Sequence, residues 1–141
     1  MDTQPETLTG RCMCGAVTYS VTAEASQAVI CHCVDCQRQT GTAFTAVVSV
    51  PADALEMEGD TMATYATTGT DHGQPTRRTF CSACGSPLVT HGAYPGLAFL
   101  KVGTLDDQSW IDVGVEIWCS SKPAWSPPFS GTQTAERDAA L

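Results

Sequence analysis

Alternating apolar and polar positions run through much of the chain and predict strands. Within residues 8–22, Val17, Tyr19 and Val21 alternate with threonine and serine, which predicts a hairpin around a cysteine-bearing turn. Residues 44–50 are β-branched and apolar and end at Pro51, where a strand ladder would lose a donor. Further strands are predicted at residues 63–66, 76–80, 87–91, 97–102 and 113–118.

One short helix is predicted to interrupt the strands. Residues 34–40 follow the apolar run 28–30 and precede Gly41, a residue suited to the left-handed conformation that closes a helix. No amphipathic pattern longer than about three turns occurs elsewhere. The chain is therefore predicted to be all-β, with the cysteines between positions 31 and 36 in a loop that joins a strand to this helix.

The length of 141 residues with 43% hydrophobic content predicts a single domain over residues 1–141 with an ordinary core. We expect the core to span residues 8–130. The polar, Ala-rich end at residues 132–141 is expected to be a loose tail. Trp118 and Trp125 are expected to be packed.

Charge and hydropathy narrow the possible partners. The net charge is −8, and the seven basic residues form no run longer than Arg77-Arg78, which argues against a nucleic-acid partner. No stretch of about 18 apolar residues occurs, so no membrane span is predicted. The first residues carry neither a basic run nor an apolar stretch, and we expect a cytoplasmic protein. The sequence does not indicate an oligomeric state.

Eight cysteines carry the chemistry that the sequence offers. In a reducing compartment clustered thiols stay reduced and bind metal more often than they form disulfides. Two knuckles each present two sulfurs on a turn followed by glycine, and together they offer four sulfurs to a structural zinc ion. Buried free cysteines are the alternative. The knuckles are Cys12-Met13-Cys14-Gly15 and Cys81-Ser82-Ala83-Cys84-Gly85.

A third cluster, Cys31, Cys33 and Cys36, offers only three sulfurs. A zinc ion with three protein ligands can take water or an external thiol as its fourth ligand and acidify it, which predicts an open, reactive site. The alternative is a second structural site completed by His32 or Cys119. Spacing alone leaves open whether this cluster pairs with either knuckle.

Few other side chains are candidates for function. Arg38 and Lys101 are predicted to hold substrate carboxylates, although Arg38 could equally cap the helix. His32 is expected to point away from the metal. His72 is expected to be solvated in a loop and His91 to be an ordinary strand residue, so neither is predicted to be catalytic.

Three motifs in this order and spacing closely resemble the glutathione-dependent formaldehyde-activating enzyme family, also called centromere-protein-V-like. They are GRCMCGAVTY at 10–19, CHCVDCQRQTG at 31–41 and FCSACG at 80–85. The segment KVGTLD at 101–106, with Ile117, Trp118 and Trp125, fits as well. The resemblance implies a β-tent of antiparallel sheets organised around a four-cysteine zinc site. It implies two zinc ions, a structural one on Cys12, Cys14, Cys81 and Cys84 and a second one on Cys31, Cys33 and Cys36.

The resemblance also implies an activity. It predicts a carbon–sulfur lyase that acts on a thiol adduct such as S-hydroxymethylglutathione, formed from glutathione and formaldehyde, with Cys31, Cys33 and Cys36 as the catalytic site. Two other functions fit the same cysteines. One is a zinc-binding module for protein partners with two saturated sites, and the other is a thiol-responsive zinc sensor or carrier.

Overall fold

The protein is built from eleven strands and one α-helix within residues 2–68 and 75–139, which a computed structural model describes. Short 3₁₀ turns link several of the strands. The strands are β1 (Leu8–Arg11), β2 (Thr18–Val21), β3 (Ala28–Cys31), β4 (Thr45–Pro51), β5 (Leu55–Glu58), β6 (Met62–Thr68), β7 (Pro75–Cys81), β8 (Pro87–His91), β9 (Leu97–Lys101), β10 (Val113–Ile117) and β11 (Gln133–Thr134). The helix is α1 (Val34–Thr40).

These strands form two sheets. The smaller sheet is antiparallel in the order β1-β2-β5, and the larger has the order β11-β10-β3-β4-β9-β8-β7-β6. In the larger sheet β10 pairs in parallel with both β3 and β11, while the other pairs are antiparallel. The all-β prediction is confirmed, and these two parallel pairs make the expected antiparallel sheet a mixed one. The connections between these strands are long enough to permit parallel pairing.

The main core fills the space on one face of the larger sheet. The alternation on β2 turns Tyr19 and Val21 inward, as predicted, and they belong to the same buried cluster as Val48, Val50 and Leu100. The opposite face of β4 and β9 carries Val47 and Phe99, which belong to a second cluster with the cysteines of positions 31, 33 and 36. Both faces of the central strands are therefore buried, and the second cluster places the three-cysteine loop against the sheet.

Helix α1 spans the predicted residues 34–40 and has the predicted C-cap. Gly41 has φ 74° and its N–H donates to the carbonyl of Gln37 at 2.8 Å, which ends the helix in a left-handed cap. At the other end Cys33 is the N-cap residue, and its Sγ accepts from the N–H of Cys36 at 3.3 Å. A cysteine thus occupies the place that serine or aspartate usually takes.

The end of the chain differs from the expected loose tail. Strand β11 pairs with β10, and the N–H groups of Trp118, Cys119 and Ser120 donate to the carbonyls of Arg137, Ala135 and Glu136. These backbone bonds fasten residues 133–137 along the end of β10. The composition signalled a polar segment, but backbone pairing does not depend on apolar side chains.

Trp118 is buried as expected, whereas Trp125 is 69% exposed and the expectation that it packs is wrong. Trp125 lies in the Pro-rich stretch after β10, where the chain forms turns and no strand holds the ring against the core. Sequence patterns also missed β5 and β11, while the other predicted strands agree with the observed bounds to within two residues at each end.

Candidate metal centre

Two turns, each closed by the N–H of a glycine, bring the four knuckle cysteines together. In the first the N–H of Gly15 donates to the carbonyl of Cys12 at 3.1 Å, and in the second the N–H of Gly85 donates to the carbonyl of Cys81 at 2.7 Å. Both glycines have left-handed φ values, 79° and 81°, that side-chain-bearing residues rarely adopt. The sulfurs of Cys12, Cys14, Cys81 and Cys84 all lie within 4.8 Å of one another.

The sulfur positions of this closed cluster fit a tetrahedral ion. The Sγ atoms of Cys12 and Cys14 are 3.7 Å apart, and those of Cys14 and Cys81 are 3.8 Å apart. A tetrahedral zinc ion with Zn–S bonds of about 2.3 Å places its sulfurs about 3.8 Å from each other. The cluster could therefore hold a metal ion with little rearrangement.

Hydrogen bonds favour the thiolate form of part of this cluster. The hydroxyl of Ser86, 3.2 Å from the sulfur of Cys84, is the main reason that the pKa of Cys84 falls to about 5. The hydroxyl of Thr61, also at 3.2 Å, lowers the pKa of Cys81. The pKa of Cys14 rises to about 11, because its neighbouring sulfurs and desolvation outweigh the lowering by the N–H of Ala16. A cation would relieve this crowding of sulfurs.

The second cluster lies where β3 ends and α1 begins. Cys31 is the last residue of the strand, Cys33 caps the helix and Cys36 lies in the first helical turn. Their sulfurs lie within 4.8 Å of one another, and all three residues are at most 9% exposed. Among residues 2–68 and 75–139, no fourth cysteine, histidine or carboxylate joins this group. The donor set is three buried sulfurs, which suits a soft or borderline cation such as zinc.

Negative charge is shared unequally among Cys31, Cys33 and Cys36, which we call the triad. Hydrogen bonds from Cys31 and Cys33 hold the pKa of Cys36 well below its usual range, and the positive charges of Lys101 and Arg78 act in the same direction. The pKa of Cys31 is raised, chiefly by its hydrogen bonds with Cys33 and Cys36 and by desolvation. One sulfur is thus the preferred thiolate, and binding of a cation would favour ionisation of the others.

A cavity of about 60 Å³ opens onto the three sulfurs. Its walls combine the apolar surfaces of Phe99 and Trp118 with the cations of Lys101 and Arg78. Lys101 is buried, and its Nζ donates to the hydroxyl of Thr45 at 2.9 Å. A space of this size holds a few water-sized groups, so it fits the reacting end of a substrate and not a whole peptide-like thiol.

Arg38 does not line this cavity, although Lys101 does. Arg38 is exposed on α1 and lines a separate groove of about 620 Å³ with Asp35, Tyr65 and Phe80. Arg78 lines both spaces, so the guanidinium lies in the wall between the cavity and the groove. The structure therefore places the two predicted substrate-binding cations at different spaces, with a third cation between them that sequence reasoning did not single out.

His32 and Cys119 take no part in the triad. The ring of His32 is fully buried and turns away from the sulfurs, as expected for a residue between two inward-pointing neighbours. Its Nε2 donates to Oε1 of Glu116 at 2.9 Å, and Cys119 groups with these two residues instead of with the triad. The interpretation that either residue completes the second site therefore finds no support in this geometry.

Glu116 is the centre of a buried polar network. Its carboxylate also accepts from Nζ of Lys122 at 3.1 Å and from the hydroxyl of Thr132 at 3.2 Å. Burial raises the pKa of Glu116, but the hydrogen bonds of His32, Lys122 and Thr132 outweigh it and hold the pKa below its ordinary value. The network connects His32, which lies between two cysteines of the triad, to the end of β10.

His72, expected in a solvated loop, lies outside the described residues.

No helix within the described residues is long and apolar enough to cross a membrane.

Comparison with known proteins identifies relatives of this chain. A sequence model of a family described as glutathione-dependent formaldehyde-activating enzyme matches residues 7–121. A crystal structure of a Rhodobacter sphaeroides protein superposes with a TM-score of 0.57 at 18% identity, covering 90% of this chain and 98% of that one. At this identity the likeness concerns the fold. No curated protein matches the chain.

Proposed function

Because the chain belongs to the glutathione-dependent formaldehyde-activating enzyme family, we propose that it is a zinc-dependent carbon–sulfur lyase acting on a thiol adduct such as S-hydroxymethylglutathione. The family supports a function related to glutathione and formaldehyde. The observation that carries the finer proposal is the buried three-sulfur cluster that opens onto a cavity. A site with three protein ligands leaves room for an external thiol.

Two zinc ions are part of the proposal. Cys12, Cys14, Cys81 and Cys84 would hold a structural ion, and the triad would hold the second. A zinc ion held by the triad would supply positive charge that lowers the pKa of a bound thiol. The sulfur spacing of the closed cluster and the donor set of the triad support this assignment.

The reaction joins the thiol sulfur to the carbon of formaldehyde, and the proton of the thiol ends on the oxygen of the new hydroxymethyl group. The reverse direction breaks the same carbon–sulfur bond. Cys31, Cys33 and Cys36 would be the catalytic cysteines, since they would hold the second zinc ion beside the cavity in which the thiol reacts. The ring of Phe99 and the indole of Trp118 would limit the entry of water.

Lys101 would stabilise negative charge in the same cavity. Its Nζ uses one donor on Thr45, so two N–H donors of the ammonium remain. In this position it can hold the substrate's oxygen or a carboxylate while the sulfur reacts. Arg38, in the neighbouring groove, would reach the more distant part of a larger thiol.

We also propose that the protein is located in the cytoplasm. All eight cysteines are free in the structure, which is the state expected in a reducing compartment. This supports a cytoplasmic location.

The test is exchange between glutathione, formaldehyde and their adduct, followed by NMR with the zinc-loaded protein. We expect faster exchange than in buffer, and a loss of that acceleration in the Cys33→Ser variant. No acceleration with glutathione or other thiols would refute the lyase. X-ray absorption tests the alternative of an interaction module, because two saturated four-ligand sites that do not change on adding thiol would favour it.

A further inference from the structure

Arg78 is a buried cation in the wall of the triad cavity. It is 6% exposed, and its Nε is buried without a hydrogen-bond partner. Within residues 2–68 and 75–139, no carboxylate forms an ion pair with it. A guanidinium taken out of water without a partner is costly, so an occupied site is expected to supply an anion.

The position of Arg78 follows from strand pairing. On β7 it lies opposite Tyr65 of β6 and Thr90 of β8, and Thr90 in turn lies opposite Phe99 of β9. Residues paired across neighbouring strands share a face of the sheet. Arg78 therefore lies on the face of the sheet that carries the triad cavity. It also borders the separate groove of about 620 Å³ that Arg38 lines.

The sizes of the two spaces suggest how a substrate would divide between them. The cavity of about 60 Å³ admits the reacting sulfur and one carbon, while the groove of about 620 Å³ falls in the range of ligand pockets. Among residues 2–68 and 75–139, the charged side chains that line the groove are Arg38, Arg78 and Asp35, so these residues give it a surplus of positive charge. An anionic group fits there best.

We propose that Arg78 is a specificity-determining residue, whose guanidinium binds a carboxylate of the thiol substrate where the groove meets the triad cavity. The proposal rests on the proposed function for the identity of the thiol. It assigns to one residue the preference for thiols with a carboxylate several bonds from the sulfur over neutral thiols. A guanidinium forms two parallel bonds to a carboxylate, which an ammonium cannot reproduce.

A competing role for Arg78 is to neutralise the triad thiolates, since its charge acts on Cys36. Lys101 lies in the same cavity and exerts the same influence. The two roles differ in what a substitution changes: loss of charge balance would weaken metal retention, whereas loss of the carboxylate contact would weaken binding of anionic ligands alone.

The experiment measures binding of S-methylglutathione and of its diethyl ester to the zinc-loaded full chain by calorimetry. The methyl group removes the thiol, so neither probe can form the adduct, and the ester removes the carboxylates. We expect the acid to bind more tightly than the ester. Arg78→Gln should weaken binding of the acid about 10- to 100-fold and leave binding of the ester unchanged. Arg78→Lys should recover part of the lost affinity.

The matched control is Arg77→Gln, which removes the same charge from an exposed neighbour on the other face of β7. It should bind both probes as the unmodified chain does. Circular dichroism and native mass spectrometry verify folding and zinc content. Equal binding of acid and ester, or a full-affinity Arg78→Gln variant, overturns the proposal. So does a variant that loses zinc but not affinity. Adduct exchange by NMR decides the lyase separately, because the probes do not react.

Discussion

The indole Nε1 of Trp118 donates to Oδ1 of Asp138 at 2.7 Å, and the hydroxyl of Tyr94 donates to the same oxygen at 3.1 Å. All three side chains line the triad cavity. The guanidinium of Arg137 also lies over the Trp118 ring, 4.4 Å from its centroid. Asp138 therefore completes one wall of the cavity, and it lies beyond residues 7–121, which the family model matches.

Replacing Asp138 tests how much its hydrogen bonds in that wall stabilise the fold. Asp138→Ala leaves the buried indole N–H of Trp118 without its acceptor, which should lower the free energy of unfolding by about 1–3 kcal/mol. Urea denaturation followed by circular dichroism gives the value. Asp60→Ala, at an exposed turn, is the control and should change stability by less than about 0.5 kcal/mol. Equal effects of the two substitutions would contradict the structural role of Asp138.

The two cysteine clusters should respond differently to substitution. Cys84→Ser should remove one zinc ion and destabilise the fold by several kcal/mol, because the closed cluster joins β1 to β7. Cys33→Ser should remove the other ion and leave the protein folded. Native mass spectrometry counts the ions, and thermal unfolding reports the stability.

Cys119→Ser is the control for both variants, since Cys119 belongs to neither cluster. It should keep both ions. If Cys119→Ser lost an ion, or if Cys84→Ser unfolded no more easily than Cys33→Ser, the division into a structural and a reactive site would be wrong.

Lys101→Met should lower kcat/KM for the adduct by about 10-fold or more while the closed cluster keeps its zinc. Methionine fills a similar volume among Phe99 and Val47 but removes the only lysine charge in the cavity. Thr45→Val, which removes the hydroxyl that the ammonium contacts, should have a smaller effect because the charge remains. Exchange kinetics by NMR, with zinc content measured in parallel, distinguish a lost charge from a lost ion.

The lowered pKa of Glu116 predicts that its contribution to stability depends on pH. Its pKa is lowered in the folded protein below the ordinary 4.5 of glutamate, so its contribution is present above that value and is lost as pH falls through the folded pKa. Glu116→Gln should therefore destabilise the protein by about 1.5–3 kcal/mol at neutral pH. The difference from the unmodified chain should shrink below about pH 4.5.

Urea titrations at several pH values measure this difference, and comparison with the unmodified chain removes effects of acid on the cysteines. Glu56→Gln, an exposed carboxylate on β5, should show no such dependence. A constant gap between Glu116→Gln and the unmodified chain down to acid pH would contradict a contribution that depends on the ionised carboxylate.

Local patterns predicted the parts of the fold that depend on neighbours in sequence. Helix α1 and its Gly41 cap follow from the cap residue and a change in periodicity, and β4 follows from a β-branched run. Strand β5 was missed even though Leu55 and Met57 alternate with glutamates, because the stretch is short and flanked by turns. The sequence also did not single out Arg78, for a different reason.

Arg78 lies in the run Thr76-Arg77-Arg78-Thr79, in which both faces of the strand carry polar residues. Alternation gives no sign of which arginine is buried, since burial here depends on the pairing of β7 with distant strands. The contact of His32 with Glu116 likewise joins residues 84 positions apart. Each short cysteine motif could be predicted because its spacing is local, whereas the grouping of the two knuckles came from the family resemblance and the burial of Arg78 gave no local signal.

Strand β3 lies between β4 and β10, and this order has a consequence for biosynthesis. At about 5–20 residues per second, a ribosome finishes β10 several seconds after it has made Cys31. Until then the nascent strand has one open edge, and the three thiols beside it lack the wall that Trp118 and Asp138 later provide. During that interval the three thiols are accessible to oxidants and to competing metals, and completion of β10 and of the segment that follows it ends this exposure.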